Sequence, residues 1–325
     1  MTVYFQGACT NCFCRTVLQN CVINREYLVM DLPDVICPIN NLPAKHYATK
    51  GRAVYYIEQV DGIIFQSVLP TVAEMEVFNQ QEYKNGVYRA YFEMEHLKKR
   101  TAERRLKYIK QYGKSSGRLL DVGCSVGFFI EVAQDFGFDV QGVELSSQAI
   151  AIAKDSVRDK ISQADANEHI RKYGACYEVV TAYDIIEHTQ NPKAFLSDLY
   201  NALVPGGVVA IAAPDTDHFL RYVMGKNWSM LQPMQHNFLL SRRSIKAMLV
   251  EAGFEDVVVL PAKKTLTLNY LFGQLSQTNP IISSFYKYAG KLIPSLIGDA
   301  PIEVNIGEFF AMGRKQSAQP IQQIK

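Results

Sequence analysis

Between residues 117 and 262, short apolar segments typical of β-strands alternate with longer amphipathic segments typical of helices. The predicted strands are 118–122, 139–144, 178–183, 207–213 and 254–260, and the predicted helices are 128–136, 147–156, 191–203 and 241–252. Such an alternation is the pattern of βαβ units, which build a parallel sheet covered by helices on both faces. The sequence therefore predicts an α/β fold with a doubly wound, Rossmann-like sheet.

The overall composition narrows the class of protein. The chain has 325 residues, of which 48% are hydrophobic and 20% charged, and these fractions exclude a disordered, collagen-like or coiled-coil protein. The net charge of +2 gives no general attraction to nucleic acid. Seven cysteines cannot all pair, and the sequence shows neither a signal peptide nor an apolar run of about 18 residues. We therefore expect a cytoplasmic protein without a membrane span.

Other segments flank the α/β domain. The predicted organisation is a β-rich N-terminal region at 1–70, a helical connector at 71–115, the α/β domain at 116–314 and a disordered, Gln-rich tail at 315–325. Within the domain, an apolar and aromatic insertion of short helices at 263–303 precedes a last strand at 307–312. This insertion is either additional core or a lid over an apolar substrate.

The connector ends in a basic helical stretch from Glu93 to Lys114 that carries eight lysine and arginine residues. The simpler prediction is a solvated basic face on a helix whose apolar side chains turn inward, namely Leu97, Leu106, Tyr108 and Ile109. A basic patch that contacts RNA is the alternative. Because the net charge is near zero, we do not expect a nucleic-acid partner.

A glycine-containing loop follows the first predicted strand. Gly123 and Gly127 let the backbone approach a ligand closely, and the helix that follows presents free N–H groups. Glu144 ends the next strand, 21 residues after Gly123, where a carboxylate can accept both ribose hydroxyls of a nucleoside. A further short strand near Ser162 is predicted between 139–144 and 178–183, which makes it the third strand and 178–183 the fourth. Asp165 follows this third strand, where it can accept from an adenine amino group. Together they predict a pocket for an adenosine that carries a small group.

Two residues of this loop favour a cationic ligand over a dinucleotide. Ser125 replaces the middle glycine of the dinucleotide fingerprint. Asp121 lies at the end of the strand, where its carboxylate would repel a pyrophosphate but not a sulfonium or ammonium group. The loop therefore favours S-adenosylmethionine over NAD.

These residues resemble the motifs of class I S-adenosylmethionine-dependent methyltransferases, over roughly residues 76–262 and the last strand. Leu119–Gly127 is similar to the family's glycine loop, Tyr183–His188 to its segment after the fourth strand, and Leu203–Gly207 to its Leu-x-Pro-Gly-Gly turn. The resemblance implies S-adenosylmethionine as cofactor and S-adenosylhomocysteine as product. The cofactor contacts that it implies are Asp121, Gly123, Ser125, Gly127, Glu144, Leu145, Asp165, Ala166, Tyr183 and, in a Tyr-rich segment before the domain, Tyr91.

Within this family, the chain resembles a bacterial subgroup that methylates small molecules in natural-product, sugar and polysaccharide pathways. That subgroup often carries a zinc-ribbon-like N-terminus. Cys37 matches one of the four ribbon ligands, whereas the other three positions are occupied by Asn40, Gln59 and Gly62. Because a tetrahedral zinc site needs four thiolate or imidazole ligands, we expect a degenerate ribbon without metal. A separate cysteine cluster either binds zinc or carries free thiols: Cys9, Cys12, Cys14 and Cys21.

A hydroxyl acceptor needs a base with a pKa near neutral, which points to histidine. His236 lies in a segment after the fifth strand that resembles the subgroup's acceptor-facing Trp…His-x-x-Phe segment. We expect His236 to be the general base, and His188, which follows the fourth strand beside Glu187, to be the second candidate. The alternative for each is a structural role. The remaining histidines are predicted to be surface or structural residues: His46, His96, His169 and His218.

The predicted function is therefore the methylation of a hydroxyl on a small molecule, by in-line displacement with help from a histidine base. Three alternatives stay open: N- or C-methylation of a sugar or another metabolite, a non-catalytic methyltransferase-like module, and an RNA or protein methyltransferase. A homodimer is left open as the oligomeric state.

Overall fold

The computed structural model describes residues 35–71, 73–75, 77–78, 81, 94–271 and 298–317, which belong to a unit that begins at Asp34. Its strands are β1 (Val35–Ile36), β2 (Pro43–Lys50), β3 (Ala53–Glu58), β4 (Ile64–Gln66), β5 (Gly117–Val122), β6 (Phe138–Glu144), β7 (Ile161–Gln163), β8 (Tyr177–Tyr183), β9 (Leu203–Pro214), β10 (Phe238–Leu239), β11 (Phe254–Thr267) and β12 (Pro301–Lys315). Its α-helices are α1 (Glu95–Tyr112), α2 (Phe128–Asp135), α3 (Ser147–Ile152), α4 (Asp155–Arg158), α5 (Ala166–Tyr173), α6 (Pro192–Ala202), α7 (Phe219–Met224) and α8 (Arg242–Glu251). Two short 3-10 helices lie at Ile186–His188 and Gly225–Asn227.

The larger of two sheets has seven strands in the order β11-β12-β9-β8-β5-β6-β7. The strands from β9 to β7 are parallel, and β12 runs antiparallel between β9 and β11. The chain moves outward from β5 to β6 and β7, and then returns to β8 on the other side of β5. Such a reversal opens a crevice beyond the carboxyl ends of β5 and β8, where ligands bind in open α/β sheets. The predicted α/β fold is confirmed.

Helices cover both faces of this sheet, because successive strand residues point to opposite sides. Leu119 of β5 belongs to the buried cluster that contains Leu106 of α1. Its neighbour Leu120 belongs to the other cluster, with Leu196 of α6 and Ile245 of α8. Burying one such side chain contributes about 1.5–3 kcal/mol, so the two apolar layers fix the helices to the strands.

Helix α1 corresponds to the predicted basic helix. As expected, it buries Leu97, Leu106 and Ile109. Its basic face is not simply solvated, however, because Lys99 pairs with Glu131 of α2 at 2.8 Å and Arg105 lies 3.8 Å from Glu308 of β12. The prediction of a purely solvated face is therefore wrong, since part of that face meets acidic residues of the domain.

Among the described residues, no helix is both long and apolar enough to cross a membrane.

The smaller sheet has five antiparallel strands in the order β1-β2-β3-β4-β10. Strands β3 and β4 lie in the N-terminal region, which the sequence predicts to be β-rich. Strand β10 comes instead from the segment between β9 and α8, and its Phe238 pairs with Phe65 of β4. The sequence did not predict this pairing, which ties the N-terminal region to the segment that carries His236.

The last two strands are longer than predicted. Strand β11 continues to Thr267 and β12 begins at Pro301, so both ends of the predicted insertion, 263–303, belong to the sheet. Pro261 follows the predicted end of β11 but does not end the strand. It is tolerated because β11 is an edge strand, where a missing N–H need not break the ladder. Lys315, predicted to begin the tail, is the last residue of β12.

The helices differ from prediction at two places. The predicted helix 147–156 is divided into α3 and α4, because Ala153 is extended, with ψ at 150°. Helix α5 was not predicted, and it begins after Asp165, whose side chain caps it. Ser241 caps α8, and it forms a capping box with Ser244 at the start of that helix.

Several predictions fall outside the described residues. They concern the cysteine cluster of Cys9, Cys12, Cys14 and Cys21, the contact predicted for Tyr91, most of the insertion and most of the tail. These remain predictions from sequence.

Candidate active site

The loop between β5 and α2 contains three residues in the left-handed region. Gly123, Ser125 and Gly127 have φ angles of +71°, +52° and +84°. A Cβ at Gly123 would lie 2.2 Å from Cδ1 of Ile185, so a larger residue cannot fit there without a shift. Ser125 adopts a conformation that glycine usually provides. The loop therefore follows a tight, glycine-type path in spite of the serine.

Glu144, at the carboxyl end of β6, is fixed against this loop. Its Oε2 accepts from the backbone N–H of Ser125 at 2.9 Å, and its Oε1 accepts from the N–H of Ser146 at 2.8 Å. Each carboxylate oxygen has a second lone pair, so the group can still accept from the two hydroxyls of a ribose. The adjacent Leu145 is 69% exposed and offers an apolar surface beside the carboxylate. These groups fit the adenosine end of S-adenosylmethionine.

Asp121 is buried in β5, before the glycine loop. Thr181 of β8 donates its hydroxyl to Oδ1 of Asp121 at 2.6 Å. Burial raises the pKa of Asp121 to about 7, although the Thr181 hydrogen bond and the charge of Arg105 act in the opposite direction. A cationic ligand would favour the ionised carboxylate, whereas a pyrophosphate would oppose it. The environment of Asp121 thus fits a sulfonium or ammonium group.

The other predicted cofactor contacts lie at neighbouring strand ends. Oδ1 of Asp165 accepts from the N–H of Asn167 at 2.8 Å, and Ala166 is the first residue of α5. Tyr183 ends β8, and the Arg105 guanidinium lies over its ring, 4.2 Å from the centroid. The Tyr183 hydroxyl is buried and has no hydrogen-bond partner in the described part of the chain. The cofactor roles of these residues stay predictions.

The two histidines predicted as catalytic candidates lie together. Their ring centroids are 5.0 Å apart, and the rings meet at 67°. Nδ1 of His188 bonds to the carbonyl of Gln235, and Nδ1 of His236 bonds to the carbonyl of Met230, both at 2.8 Å. Because a carbonyl only accepts, each Nδ1 carries a proton and each Nε2 keeps its lone pair. Burial lowers the pKa of both rings, so both imidazoles are neutral at pH 7. The pKa of His236, at about 3, lies below the near-neutral value expected of a general base.

Glu187 lies in the same 3-10 helix as His188 and is only 2% exposed. Burial raises its pKa well above the usual range for a carboxyl group, and its Oε2 has no hydrogen-bond partner among the residues described. Three potential metal-ligand atoms lie within 4.8 Å of one another here, one each from Glu187, His188 and His236. The sequence suggested Glu187 only as a neighbour of His188.

Hydrogen bonds between remote segments hold the two histidines in place. Asn237 donates its N–H to the carbonyl of Glu187 at 2.7 Å and its Nδ2 to the carbonyl of His188 at 3.0 Å. Gln66 of β4 donates Nε2 to the carbonyl of His236 at 2.8 Å. The smaller sheet therefore positions the His236 segment against the end of β8, a role that no sequence motif indicated.

A group of charged residues, also not predicted, lies near the end of β8. Nζ of Lys264 is 3.3 Å from Oδ2 of Asp184 and also pairs with Oε1 of Glu308. Arg105, which covers the ring of Tyr183, completes the group from α1. Glu308 is 3% exposed, so its charge is compensated inside the protein rather than by water.

The positions that resemble zinc ligands lie in two turns that face each other. Asn40 donates Nδ2 to Oε2 of Glu58 at 3.0 Å and to Oδ2 of Asp61 at 2.9 Å. Burial raises the pKa of the Cys37 thiol, which disfavours the thiolate that zinc requires. Hydrogen bonds from Asn40 thus join the two turns. The relationship to a zinc ribbon stays a prediction.

Comparisons with known proteins relate the chain to methyltransferases. Residues 94–259 match the model of a family described as a methyltransferase domain. Phosphoethanolamine N-methyltransferase 2 of Caenorhabditis elegans is 29% identical over 206 residues, which are 58% of this chain and 45% of that enzyme. Ubiquinone biosynthesis O-methyltransferase of Nitrosospira multiformis is 25% identical over 236 residues, 67% of this chain and 95% of that enzyme. A solved methyltransferase structure from Thermotoga maritima is 18% identical, with a TM-score of 0.49 over 75% of this chain and 100% of the other.

The region of the family match is just over half of the chain, although the chain spans less than half the length of the worm enzyme. The match begins before α1 and ends in β11, so it includes the glycine loop, Glu144 and both histidines. The predicted methyltransferase domain is confirmed, together with S-adenosylmethionine as the cofactor at the level of the family. The chain therefore belongs to the methyltransferase domain family.

Proposed function

We propose that the protein transfers a methyl group from S-adenosylmethionine to a hydroxyl of a small-molecule acceptor. The observation that carries this proposal is the pair of neutral imidazoles, His188 and His236, whose Nε2 lone pairs are free beyond the end of β8. Strand β8 is the neighbour of β5, whose loop fits the cofactor. An O–H acceptor needs a basic group at this place. Relatives named as O-methyltransferases support a hydroxyl as the acceptor.

The chain's own part in the reaction is to align the acceptor and to remove its proton. S-adenosylmethionine, when bound, supplies a methyl group on a positively charged sulfur. Nε2 of His236 takes the proton of the acceptor hydroxyl while the oxygen–carbon bond forms, the carbon–sulfur bond breaks and its electron pair stays on sulfur. The positive charge thereby passes from sulfur to the imidazole. His188 is half-buried and adjacent, and it relays the proton to solvent.

In such a displacement, the alignment of the two reactants lowers the barrier more than proton transfer does. Holding the two reactants in line can supply about 7–11 kcal/mol of the barrier. Glu144 and the loop around Ser125 hold the adenosine, Asp121 favours the cationic end, and Gln66 fixes the segment of His236. The smaller sheet thus takes part in catalysis as a support for the acceptor side.

Two other functions are weighed against this one. Methylation of nitrogen is favoured by the relative named as an N-methyltransferase, and an amine needs less help from a base. Turnover that survives both His188→Ala and His236→Ala would indicate a nitrogen or carbon acceptor. A non-catalytic module is the third candidate, since Ser125 departs from the glycine motif.

Three further expectations stay predictions: a cytoplasmic location, a homodimer and the lack of a nucleic-acid partner.

Thermal unfolding with S-adenosylmethionine, S-adenosylhomocysteine and NAD, each added separately, tests the cofactor. A ligand present at 100 times its Kd stabilises the protein by about 2.7 kcal/mol. We expect the Tm to rise with the two adenosyl ligands and to stay unchanged with NAD. Unchanged Tm values with both adenosyl ligands would overturn the proposal of an enzyme.

Transfer of a labelled methyl group to a panel of small alcohols, phenols and amines tests the acceptor. We expect His236→Ala to keep the Tm shift with S-adenosylmethionine and to lose turnover by about 10²–10⁴-fold, the usual contribution of a general base. His46→Ala is the matched control, because His46 lies on β2 and bonds to Thr49 on the surface. Full turnover of His236→Ala on an alcohol would exclude His236 as the base.

A further inference from the structure

We propose that Glu187, His188 and His236 bind a divalent first-row transition-metal ion at the acceptor end of the site. Two imidazoles and one carboxylate are a ligand set that such ions take in proteins, with further positions open for water or substrate. The three side chains come from the 3-10 helix after β8 and from the segment before β10. No glycine-loop residue takes part, so the ion would be bound in addition to the cofactor.

The three ligand atoms lie within reach of one ion after a small movement of their side chains. They all lie within 4.8 Å of one another. In a tetrahedral site, metal–nitrogen and metal–oxygen bonds of about 2.0–2.2 Å place each pair of ligand atoms about 3.3–3.6 Å apart. The three ligand atoms therefore need to close by at most about 1.5 Å to bind one ion.

The orientation of both imidazoles is the one that metal-binding histidines have. A metal-ligating histidine donates its other ring N–H to a carbonyl or carboxylate, which fixes the tautomer and directs the free nitrogen at the ion. Nδ1 of His188 is held by the carbonyl of Gln235, and Nδ1 of His236 by the carbonyl of Met230, both at 2.8 Å. Both Nε2 atoms are thus the ones left to coordinate.

Glu187 supplies an independent observation. Its side chain is 98% buried, and its Oε2 has no hydrogen-bond partner among the described residues. A buried carboxylate oxygen without a partner costs several kcal/mol if it is charged. A cation bound by the same group as His188 and His236 would supply the missing partner.

The backbone around the three ligands is fixed before any ion binds. Asn237 connects the carbonyls of Glu187 and His188 to the His236 segment, and Gln66 holds the carbonyl of His236 from β4. Little conformational freedom is lost on binding, because these hydrogen bonds span all three ligand segments. The site is therefore pre-organised.

The effect of the ion on catalysis rests on the proposed function. An ion at this place would coordinate the acceptor hydroxyl and lower its pKa, as metal ions do for bound water. His236 would then act as a ligand, and the acceptor's proton would pass to solvent instead of to Nε2. Methyl transfer with the ion present would still join acceptor oxygen to the methyl carbon and leave the electron pair on sulfur.

Binding of Co²⁺ to the full-length protein tests the site without any turnover. We expect equilibrium dialysis of the metal-free protein to show Co²⁺ bound by nitrogen and oxygen ligands, with visible d–d absorption. Glu187→Gln, His188→Ala and His236→Ala should each weaken binding by at least tenfold, and His46→Ala should leave it unchanged. Circular dichroism and the Tm shift with S-adenosylmethionine establish that each variant is folded.

A variant with serine at Cys9, Cys12, Cys14 and Cys21 separates this site from the cysteine cluster. Co²⁺ binding that persists in this variant without sulfur-to-metal charge-transfer bands supports the proposal. Binding that is lost with the cysteines, or a folded wild-type protein that takes up no Co²⁺ at 100 µM, overturns it. A Tm shift with S-adenosylmethionine in the absence of Co²⁺ binding would leave the proposed methyl transfer standing and remove only the metal site.

Discussion

The proposed cofactor side and the proposed acceptor side of the site are built in different ways. The cofactor side consists of the loop after β5 and the end of β6, two adjacent parallel strands that follow each other in the chain. The acceptor side joins β4, the 3-10 helix at Ile186–His188 and the segment before β10 through hydrogen bonds between remote residues. The first side follows from the sheet itself, whereas the second requires the smaller sheet to be in place. Substitutions should therefore separate cofactor binding from turnover.

The largest effect on cofactor affinity is expected at Gly123, on the proposed cofactor side. In Gly123→Ala the new Cβ would lie 2.2 Å from Ile185, and φ is +71°. We expect at least a 100-fold loss of affinity for S-adenosylmethionine, measured by calorimetry. Gly137→Ala is the matched control, because its φ is +92° but nothing lies within 4 Å of the added Cβ. Equal loss of affinity in the two variants would mean that backbone strain, and not the shape of the loop, limits binding.

The next effect should appear on the acceptor side, at Gln66. Gln66→Leu removes the donor to the carbonyls of His236 and Pro233, and each unsatisfied buried group costs about 1–3 kcal/mol. We expect kcat to fall by about 10–100-fold while the Kd for S-adenosylmethionine stays unchanged.

Lys50→Met provides the matched comparison for Gln66→Leu. Lys50 also donates from the smaller sheet, but to the carbonyls of Trp228 and Leu231, which precede His236 in the same segment. A smaller loss of kcat in Lys50→Met would confirm that the contact at His236 matters. A loss of cofactor affinity in Gln66→Leu would show that the two sides are not separable.

The same division explains what the sequence could predict. The strands of the larger sheet and the glycine loop were predicted because their signals are local: apolar runs, glycines at fixed spacing and Glu144 at a strand end. Strand β10 has only two residues, so it carries no periodic pattern, and its pairing with β4 depends on contacts across more than 170 positions of the chain. His188 and His236 were predicted from a family resemblance, but their hydrogen bonds to carbonyl groups were not.

Charge pairs were missed for a related reason. Lys264 was assigned to an insertion because β11 seemed to end before it, and Glu308 was assigned to a separate short strand. Only the long antiparallel pairing of β11 with β12 brings these two residues together. Arg105 was grouped with the other basic residues of α1, since a charge run in sequence does not show which members face an acidic partner.

A third prediction concerns the pH dependence of stability on the cofactor side. The pKa of Asp121 is about 7 in the folded protein and near 3.9 in an unfolded chain. The folded state thus binds the proton more tightly, so the stability contribution is full below about pH 4 and is lost as pH rises toward 7. Asp121 should make the free energy of unfolding fall by up to about 1.4 kcal/mol for each pH unit in this range. We expect this fall to be absent in Asp121→Asn, as measured by urea unfolding without ligand.

Asp139→Asn controls for the loss of a charge, because Asp139 is exposed on the neighbouring strand β6. It should leave the pH dependence unchanged. If Asp121 meets the cationic part of the cofactor, Asp121→Asn should also weaken S-adenosylmethionine binding while it stabilises the free protein at pH 7. Stability of Asp121→Asn that falls with pH as steeply as in the wild type would contradict the raised pKa.

The smallest effect should come from Ser125, where the cofactor loop departs from the family motif. Its φ of +52° costs a non-glycine residue about 1 kcal/mol or more. Glycine would remove that strain, but it would also make the unfolded chain more flexible, and this favours unfolding. We therefore expect Ser125→Gly to change the free energy of unfolding by less than about 1 kcal/mol. The Kd for S-adenosylmethionine should stay within about threefold, since the backbone N–H that binds Glu144 is kept. A large gain in affinity would instead mean that the serine side chain obstructs the cofactor, and that the loop has drifted from efficient binding.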